Sequence, residues 1–263
     1  MSLALSARRW PLVAALAIGA GSVVVFVARR AASPREATRD EHPFAELHAP
    51  RVAEPISIDA EEGKGVWASE RGSTGIFKDA SGAGMVPYTE AKVRWDERTL
   101  YLWLYAGDLD LEGSVTEADG PVARDDSFHV ELGHEQSLYA LDVSVLGTVS
   151  DAKCDGSAGG KAPIACDPSW KSGAVVAVDR DGTLNKVGDN DEEWIVEMAV
   201  PLSSIGILGA KAGTRIPFAV RRCDVGKGGP RACGSFGVGA LRGEIVFDAA
   251  VERGPRVARA AQP

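Results

Sequence analysis

Short apolar runs with a period of two residues fill the chain from Ile56 onward and constrain its fold more than any other feature. In the segment Glu193–Val200, every second residue from Trp194 onward is apolar, while the residues between them include Glu197. Because successive side chains of a strand point to opposite faces, this alternation predicts a β-strand with one buried face. Pro201 ends the strand, since proline lacks the N–H that a sheet needs.

Similar runs separated by turn residues predict a series of further strands. In chain order they are Ala91–Trp95, Thr99–Ala106, Ser127–Leu132, Leu138–Val145, Ala174–Val178, Ile216–Arg222 and Glu244–Phe247. The first two form a β-hairpin, and Leu202–Leu208 is expected to form one helical turn. No segment with helical periodicity follows residue 30, and the 30 glycines favour a loop-rich β protein. The chain therefore predicts an all-β fold, a two-sheet antiparallel β-sandwich over residues 56–248.

An uncharged apolar segment, Trp10–Ala28, precedes the strands and is flanked by arginine pairs at both ends. Its length is close to the roughly twenty residues that span a hydrocarbon core, so we predict a signal anchor, one transmembrane helix, over residues 1–30. A cleaved signal peptide, which would make the protein secreted, is the alternative. Residues 31–55 mix charged residues, alanine and proline without periodicity and predict a flexible linker, and residues 249–263 predict a disordered tail.

The charge of the chain excludes one class of partner. Its formal net charge is −8, and the basic excess is confined to the N-terminal segment, so the predicted sandwich is more acidic still. Nucleic-acid binding needs a basic surface that displaces counterions from phosphates, and no basic stripe is present. We therefore expect no nucleic-acid partner, and contact with the membrane through the N-terminal helix.

The four cysteines fall into two local pairs, each bracketing a glycine-rich stretch. Cys154 lies close in sequence to Cys166, and Cys223 lies close to Cys233. An even count in an exported chain predicts disulfides, and the absence of a Cys-x-x-Cys knuckle argues against zinc. Four free buried thiols remain the alternative if the domain faces the cytoplasm. Two disulfides would place the sandwich outside the cytoplasm, in the periplasm or at the cell surface.

Six short motifs follow one another along the predicted sandwich. They are Ile58-Asp59 with Trp67, Val93–Asp96 with Leu100–Leu102, Asp125–Val130, Tyr139 with Gly147–Asp151, Trp194–Leu202, and Phe218–Arg222. Together they resemble the family 9 carbohydrate-binding modules from about Ile56 to Asp248. The resemblance implies an exported, non-catalytic β-sandwich that binds a polysaccharide or oligosaccharide and supports its recognition or catabolism. It also implies that structural calcium is possible; the sequence identifies no metal ligands.

The chain departs from the family pattern at positions where sugar-binding members contact their ligand. The glutamate of the Asp-Asp strand is His129 here, with Glu131 two residues further on, and the asparagine of the late strand is Ala219. Where those members place an aromatic residue before Asp125, this chain has Pro121–Arg124. The departures favour an alternative, a structural or protein-interaction sandwich that has lost its sugar site.

The candidate ligand-binding residues are aromatic or ionisable, because a pyranose stacks its C–H face on a ring and bonds its hydroxyls to polar groups. Each has a structural alternative, namely packing for the tryptophans and a solvated outer face for the ionisable residues. Calcium coordination by the acids is a third possibility. The candidates are Trp103, Arg124, Asp126, His129, Glu131, Trp170 and Arg222.

No pattern in the chain predicts an enzyme. A Gly-x-Ser-x-Gly nucleophile elbow is missing, and the glycine-rich Phe236–Gly239 lacks the Lys-Ser/Thr of a phosphate loop. We therefore predict a membrane-tethered extracytoplasmic carbohydrate-binding module without a cofactor. A haem-binding relative, with Met198 or Met85 as a ligand, is a minor alternative.

Overall fold

The computed structural model of the chain describes residues 45–155, 165–186, 188–226, 231–237 and 243–252. These residues form twelve strands and no α-helix, so the predicted all-β class is confirmed. Short 3-10 helices cover Gly65–Trp67, Val122–Arg124 and Leu202–Ile205. The strands are β1 (Ala45–Val52), β2 (Thr89–Trp95), β3 (Thr99–Gly107), β4 (Ser127–His134), β5 (Ser137–Ser144), β6 (Val149–Asp155), β7 (Ala165–Asp167), β8 (Val175–Asp181), β9 (Glu193–Pro201), β10 (Arg215–Asp224), β11 (Ala232–Phe236) and β12 (Gly243–Glu252).

Every strand predicted from alternation is present, and the helical turn after Pro201 is a 3-10 helix. The structure differs at the ends of the predicted domain, where β1 lies within the predicted linker and β12 extends into the predicted tail. Pro50 and the charged neighbours of β1 conceal its pattern, because proline and charge are unusual within strands. Pairing with β12 and burial of Leu47 and Ala49 nevertheless hold β1 in the sheet.

Hydrogen bonds connect the strands in the order β7-β6-β5-β4-β10-β12-β1-β2-β3-β9-β8, and β11 pairs with β10. All pairs are antiparallel except those of β1, which runs parallel to both β12 and β2. The antiparallel expectation therefore fails at β1, because this strand joins two antiparallel halves, one ending at β12 and the other beginning at β2.

The two halves enclose one hydrophobic core, as expected for a β-sandwich. Leu102 of β3 lies in the same cluster of buried side chains as Val130 of β4 and Phe218 of β10. The rings of Phe128 and Trp194, one from each half, have centroids 4.9 Å apart. Burying these large apolar side chains removes them from water and is the main stabilising contribution to such a fold.

Alternation along the strands decides what remains on the outer faces. Trp103 and Tyr105 flank the core residue Leu104 and point outward from one half, and His129 and Glu131 do the same from β4 in the other half. Among the described residues, no helix is long and apolar enough to cross a membrane. The predicted anchor lies outside the described residues.

Both predicted disulfides are present. Cys154–Cys166 joins β6 to β7, and Cys223–Cys233 joins β10 to β11. The second bridge holds the short strand β11 against β10, so it also fixes the side chains that β11 presents on the outer face.

Replacing Cys223 and Cys233 by serine is expected to lower the free energy of unfolding by about 3 kcal/mol, because the bridge closes a loop with a sequence separation of 10. The Cys154→Ser/Cys166→Ser variant is expected to lose a similar amount, since its separation is 12. Urea denaturation followed by tryptophan fluorescence measures both. A loss below about 1 kcal/mol in both variants would contradict a structural role for the bridges.

Candidate functional site

Two cavities open on the outer faces of the two halves and share no lining residue. The histidine cavity has a volume of about 100 Å³ and is lined by His129, Glu131, Ala219, Arg221, Ser235 and Phe236. The aromatic cleft has a volume of about 260 Å³ and is lined by Glu61, Glu62, Trp67, Trp103, Tyr105 and Glu193. A third hollow beside the turn between β2 and β3 has a mainly polar lining and contains none of the predicted site residues.

Register across four strands builds the histidine cavity. His129 of β4 lies opposite Asp142 of β5 on one side and opposite Arg221 of β10 on the other. Arg221 in turn lies opposite Ser235 of β11. Directly opposed residues share a face of the sheet, so these four polar side chains form one row across it. Glu131 lies two residues beyond His129 on the same face.

His129 is held between two carboxylates. Its Nδ1 lies 2.9 Å from Oδ1 of Asp142, and its Nε2 lies 3.0 Å from Oε1 of Glu131. Burial disfavours the imidazolium, but the hydrogen bonds to Asp142 and Glu131 outweigh it and raise the pKa of His129 to about 9. At neutral pH, His129 is therefore a cation that donates from both nitrogens, and Glu131 keeps its second oxygen for another partner.

Arg221 is the exposed cation of the row. Its guanidinium forms no hydrogen bond or ion pair with any residue that the structure describes, although it lines the cavity. The neighbouring Arg231, by contrast, donates to the carbonyl oxygen of Ala123. Arg221 therefore presents up to five N–H donors in a plane to whatever enters the histidine cavity.

The sequence analysis did not name Phe236 as a candidate, although it is among the residues that line the histidine cavity. Its ring lies on the core side of β11, because Phe236 pairs with the core residue Val220. Its half-buried ring packs against Phe218 with centroids 6.1 Å apart. It also lies over Gly243, where an added Cβ would come within 2.7 Å of the ring. Phe236 stands in a glycine-rich stretch without alternation, so its one signal was its position three residues after the bridged Cys233.

Two predicted ligand-binding residues are fully buried and support the fold instead. Arg222 points away from the cavity, and its Nη2 donates to Oδ2 of Asp108 at 2.6 Å. Asp126 accepts the backbone N–H groups of Glu112 and Val225. Burial, aided by the charge of Asp108, raises the pKa of Asp126 to about 7. A ligand on the outer face cannot reach either side chain.

The remaining predicted residues are divided among separate places. Arg124 is exposed at the end of a 3-10 helix and lines neither cavity. Trp170 is half-buried with its ring centroid 5.0 Å from that of Tyr139, so it packs a loop onto the core. Trp103 lines the aromatic cleft, whereas His129 and Glu131 line the histidine cavity. No group of three or more His, Cys, Asp or Glu suited to a metal ion occurs among the described residues.

The aromatic cleft is built where a loop is fastened to β9. Glu197, fully buried, accepts the indole N–H of Trp67 at 2.7 Å and the ammonium of Lys64 at 2.6 Å. It also accepts the backbone N–H of Ala60 at 2.9 Å. These bonds hold the loop above β3, where the rings of Trp103 and Tyr105 stack with centroids 5.6 Å apart. The cleft is therefore a preformed space between this loop and an aromatic strand face.

The fold is similar to that of a carbohydrate-binding module of family 9 from Caldicellulosiruptor kristjanssonii. The structure of that module with glucose has a TM-score of 0.53 and 16% identity over 79% of this chain and 98% of that chain. The structure with cellotriose has a TM-score of 0.52 and 16% identity over 80% and 100%. No protein-family model and no curated protein sequence matches this chain. The predicted resemblance is therefore confirmed at the level of the fold.

The stability of the domain is expected to fall as the pH rises from 6.5 to about 9. The pKa of His129 is higher in the folded protein than its ordinary value of 6.5. The protonated imidazole therefore contributes fully to the free energy of unfolding below pH 6.5, and this contribution is lost as the pH rises through the folded pKa. The loss amounts to at most about 3 kcal/mol.

Urea denaturation at intervals between pH 8 and 9.5 measures this loss, with His129→Gln as the control that lacks the imidazole at this position. The elevated pKa of Asp126 does not interfere, because that carboxyl is already ionised in both states above about pH 8. An equal slope in the variant and the natural chain would show that His129 is not responsible.

Proposed function

We propose that this chain is a membrane-tethered, extracytoplasmic and non-catalytic carbohydrate-binding module that takes an oligosaccharide or polysaccharide at the histidine cavity. The observation that carries the proposal is the row of Asp142, His129, Arg221 and Ser235 across four strands. Such a row offers directional hydrogen-bond partners to the hydroxyl groups of a sugar.

The polar groups suit hydroxyls, because they offer both donors and acceptors. Arg221 donates, Ser235 can donate or accept, and the free oxygen of Glu131 accepts. The ion pairs of His129 hold Glu131 in position before a ligand arrives, so little side-chain entropy is lost on binding.

The likeness to family 9 modules supports the same location. The positions at which the resemblance implies sugar contacts, His129 and Ala219, both line the histidine cavity. The similar module from Caldicellulosiruptor kristjanssonii was solved with glucose and with cellotriose. The small volume of about 100 Å³ fits part of one sugar residue, with the remainder of the chain in solvent.

The side chains around the histidine cavity support the proposal of a non-catalytic role. Glycoside hydrolysis generally uses two carboxyl groups on opposite sides of the scissile bond. The described lining of the histidine cavity holds one carboxylate, Glu131, and it is paired with His129. A protonated His129 with both nitrogens engaged has no lone pair with which to act as a base.

The cellular placement rests on the N-terminal sequence and on the cysteines. The apolar segment Trp10–Ala28 has the length of a membrane anchor. The two disulfides favour an oxidising compartment, because such bonds are rare where thiols are kept reduced. The proposed arrangement is thus an anchored domain that meets glycans outside the cytoplasm.

A protein-interaction domain is the second candidate. The described lining of the histidine cavity presents no aromatic ring on the outer face, and Ala219 cannot bond a hydroxyl through its side chain. The haem alternative has less support, because Met85 and Met198 both lie within the hydrophobic core.

Arg221→Ala is expected to weaken binding of a cello-oligosaccharide at least about tenfold, because it removes a charged donor from the cavity. Ser235→Ala is expected to weaken binding by a smaller factor, because it removes a neutral hydrogen-bonding group from the same row. Isothermal titration calorimetry on the purified full chain measures both. Arg124→Ala and Trp170→Ala are controls, since neither residue lines the cavity, and should bind normally. If Trp170→Ala is the only variant that loses binding, the site lies at the loop of Trp170. If no glycan on an array binds the protein, the protein-interaction candidate is favoured.

The full chain is expected to remain with the membrane fraction after a wash at high salt, because an apolar span is not held by charge. A variant lacking residues 1–30 is expected in the soluble fraction. Immunoblotting of fractionated cells measures the distribution. A full chain that is shortened and released would indicate a cleaved signal peptide instead.

A further inference from the structure

The aromatic cleft has features that the proposed function does not use. It lies on the outer face of the other half, and no residue lines both it and the histidine cavity. The rings of Trp103 and Tyr105 are half-buried and stack with an interplanar angle of 21°. Its volume of about 260 Å³ is just below the range of pockets for drug-sized ligands, so it suits a single ring of sugar size.

The charge of the aromatic cleft is negative. Glu61, Glu62 and Glu193 line it, and Lys64 is the cation among its lining residues. The ammonium of Lys64 is already paired with Glu197 and Asp59. Among the described residues that line the cleft, no positive charge is therefore left to balance these three glutamates.

A second lysine nearby does not change this balance. The ammonium of Lys92 lies 5.3 Å from the ring centroid of Trp103 and so already interacts with that ring. Its charge is matched by Glu70 at 3.1 Å and Glu90 at 3.5 Å, both outside the lining of the cleft.

Two of the acids repel each other. A hydrogen bond and the charge of Glu193 raise the pKa of Glu62, and the charges of Asp179 and Asp181 add to the effect. Glu193 also accepts the hydroxyl of Tyr105. Carboxyl groups so placed favour either a shared proton or an external cation between them.

We propose that the aromatic cleft is a second carbohydrate site, selective for a cationic amino sugar whose ring packs on Trp103 and Tyr105 and whose ammonium meets Glu62 and Glu193. Aromatic rings attract ammonium groups, and the carboxylates supply hydrogen-bond acceptors of opposite charge. The ring of the sugar covers the apolar wall, which a small ammonium ion alone leaves in water. This inference does not depend on sugar binding at the histidine cavity.

Three β-1,4-linked trisaccharides that differ in the group at C2 provide the test. Cellotriose carries a hydroxyl, N,N′,N″-triacetylchitotriose a neutral acetamide, and fully deacetylated chitotriose an ammonium. Calorimetric titration of the full chain is expected to show the deacetylated trimer binding about tenfold more tightly than the acetylated one, as one well-placed ion pair allows. Ethanolamine, an ammonium without the ring, is expected not to bind at millimolar concentration.

Glu62→Gln removes one charge from an exposed side chain and is expected to abolish the preference for the deacetylated trimer without affecting the fold. Glu117→Gln, at an exposed glutamate outside both cavities, is the matched control and should keep the preference. Arg221→Ala should also keep the preference for the deacetylated trimer, although its affinity for cellotriose should fall.

Several results would overturn the proposal. Equal affinity for the deacetylated and acetylated trimers excludes charge recognition, and an unchanged preference in Glu62→Gln places the recognition elsewhere. Ethanolamine binding as tightly as the trimer would reduce the cleft to a general ammonium site. A deacetylated trimer that loses binding in Arg221→Ala but not in Glu62→Gln would assign the amino sugar to the histidine cavity.

Discussion

Asp108 is the buried carboxylate on which both the core and the histidine cavity depend. It follows β3 and accepts hydrogen bonds from Arg222 of β10 at 2.6 Å and from the indole N–H of Trp194 of β9 at 3.2 Å. The contact thus ties together strands from the two halves. Arg222 also lies 3.4 Å from Asp224, so the buried guanidinium is balanced by two carboxylates. Removing one partner of a buried charge pair typically costs about 3–5 kcal/mol. With Arg222 committed to Asp108, its neighbour Arg221 must face outward.

The two cations of the polar row therefore have different roles. His129 is hydrogen-bonded to Asp142 and Glu131, so its positive charge is balanced within the protein. The same bonds hold the carboxylate of Glu131 in position. Arg221 has no such partner among the described residues, so its guanidinium remains available as a donor in the cavity. The pairing of the strands causes this difference. His129 lies opposite Asp142 and near Glu131, whereas Arg221 lies opposite Ser235.

The aromatic cleft and the histidine cavity differ in charge and in aromatic content. The cleft combines stacked rings with unbalanced acids, and the cavity combines a polar row with an exposed arginine. A buried glutamate, Glu197, shapes the cleft by holding the loop that carries Trp67 and Lys64. Two outer faces of one β fold can thus offer surfaces of different chemistry, because the core determines only which side chains point inward.

The sequence by itself determined the all-β class, the central strands and both disulfides, because alternation and local cysteine spacing depend on near neighbours in the chain. It named His129 and Glu131, which line the histidine cavity, but it also named Arg222, which is buried, and it did not name Arg221, Phe236 or β1. Those features depend on pairing between distant segments, such as β1 with β12 and Arg221 with His129. Only the tertiary structure decided them, since which of two adjacent arginines is buried is set by the partner across the core and by no local pattern.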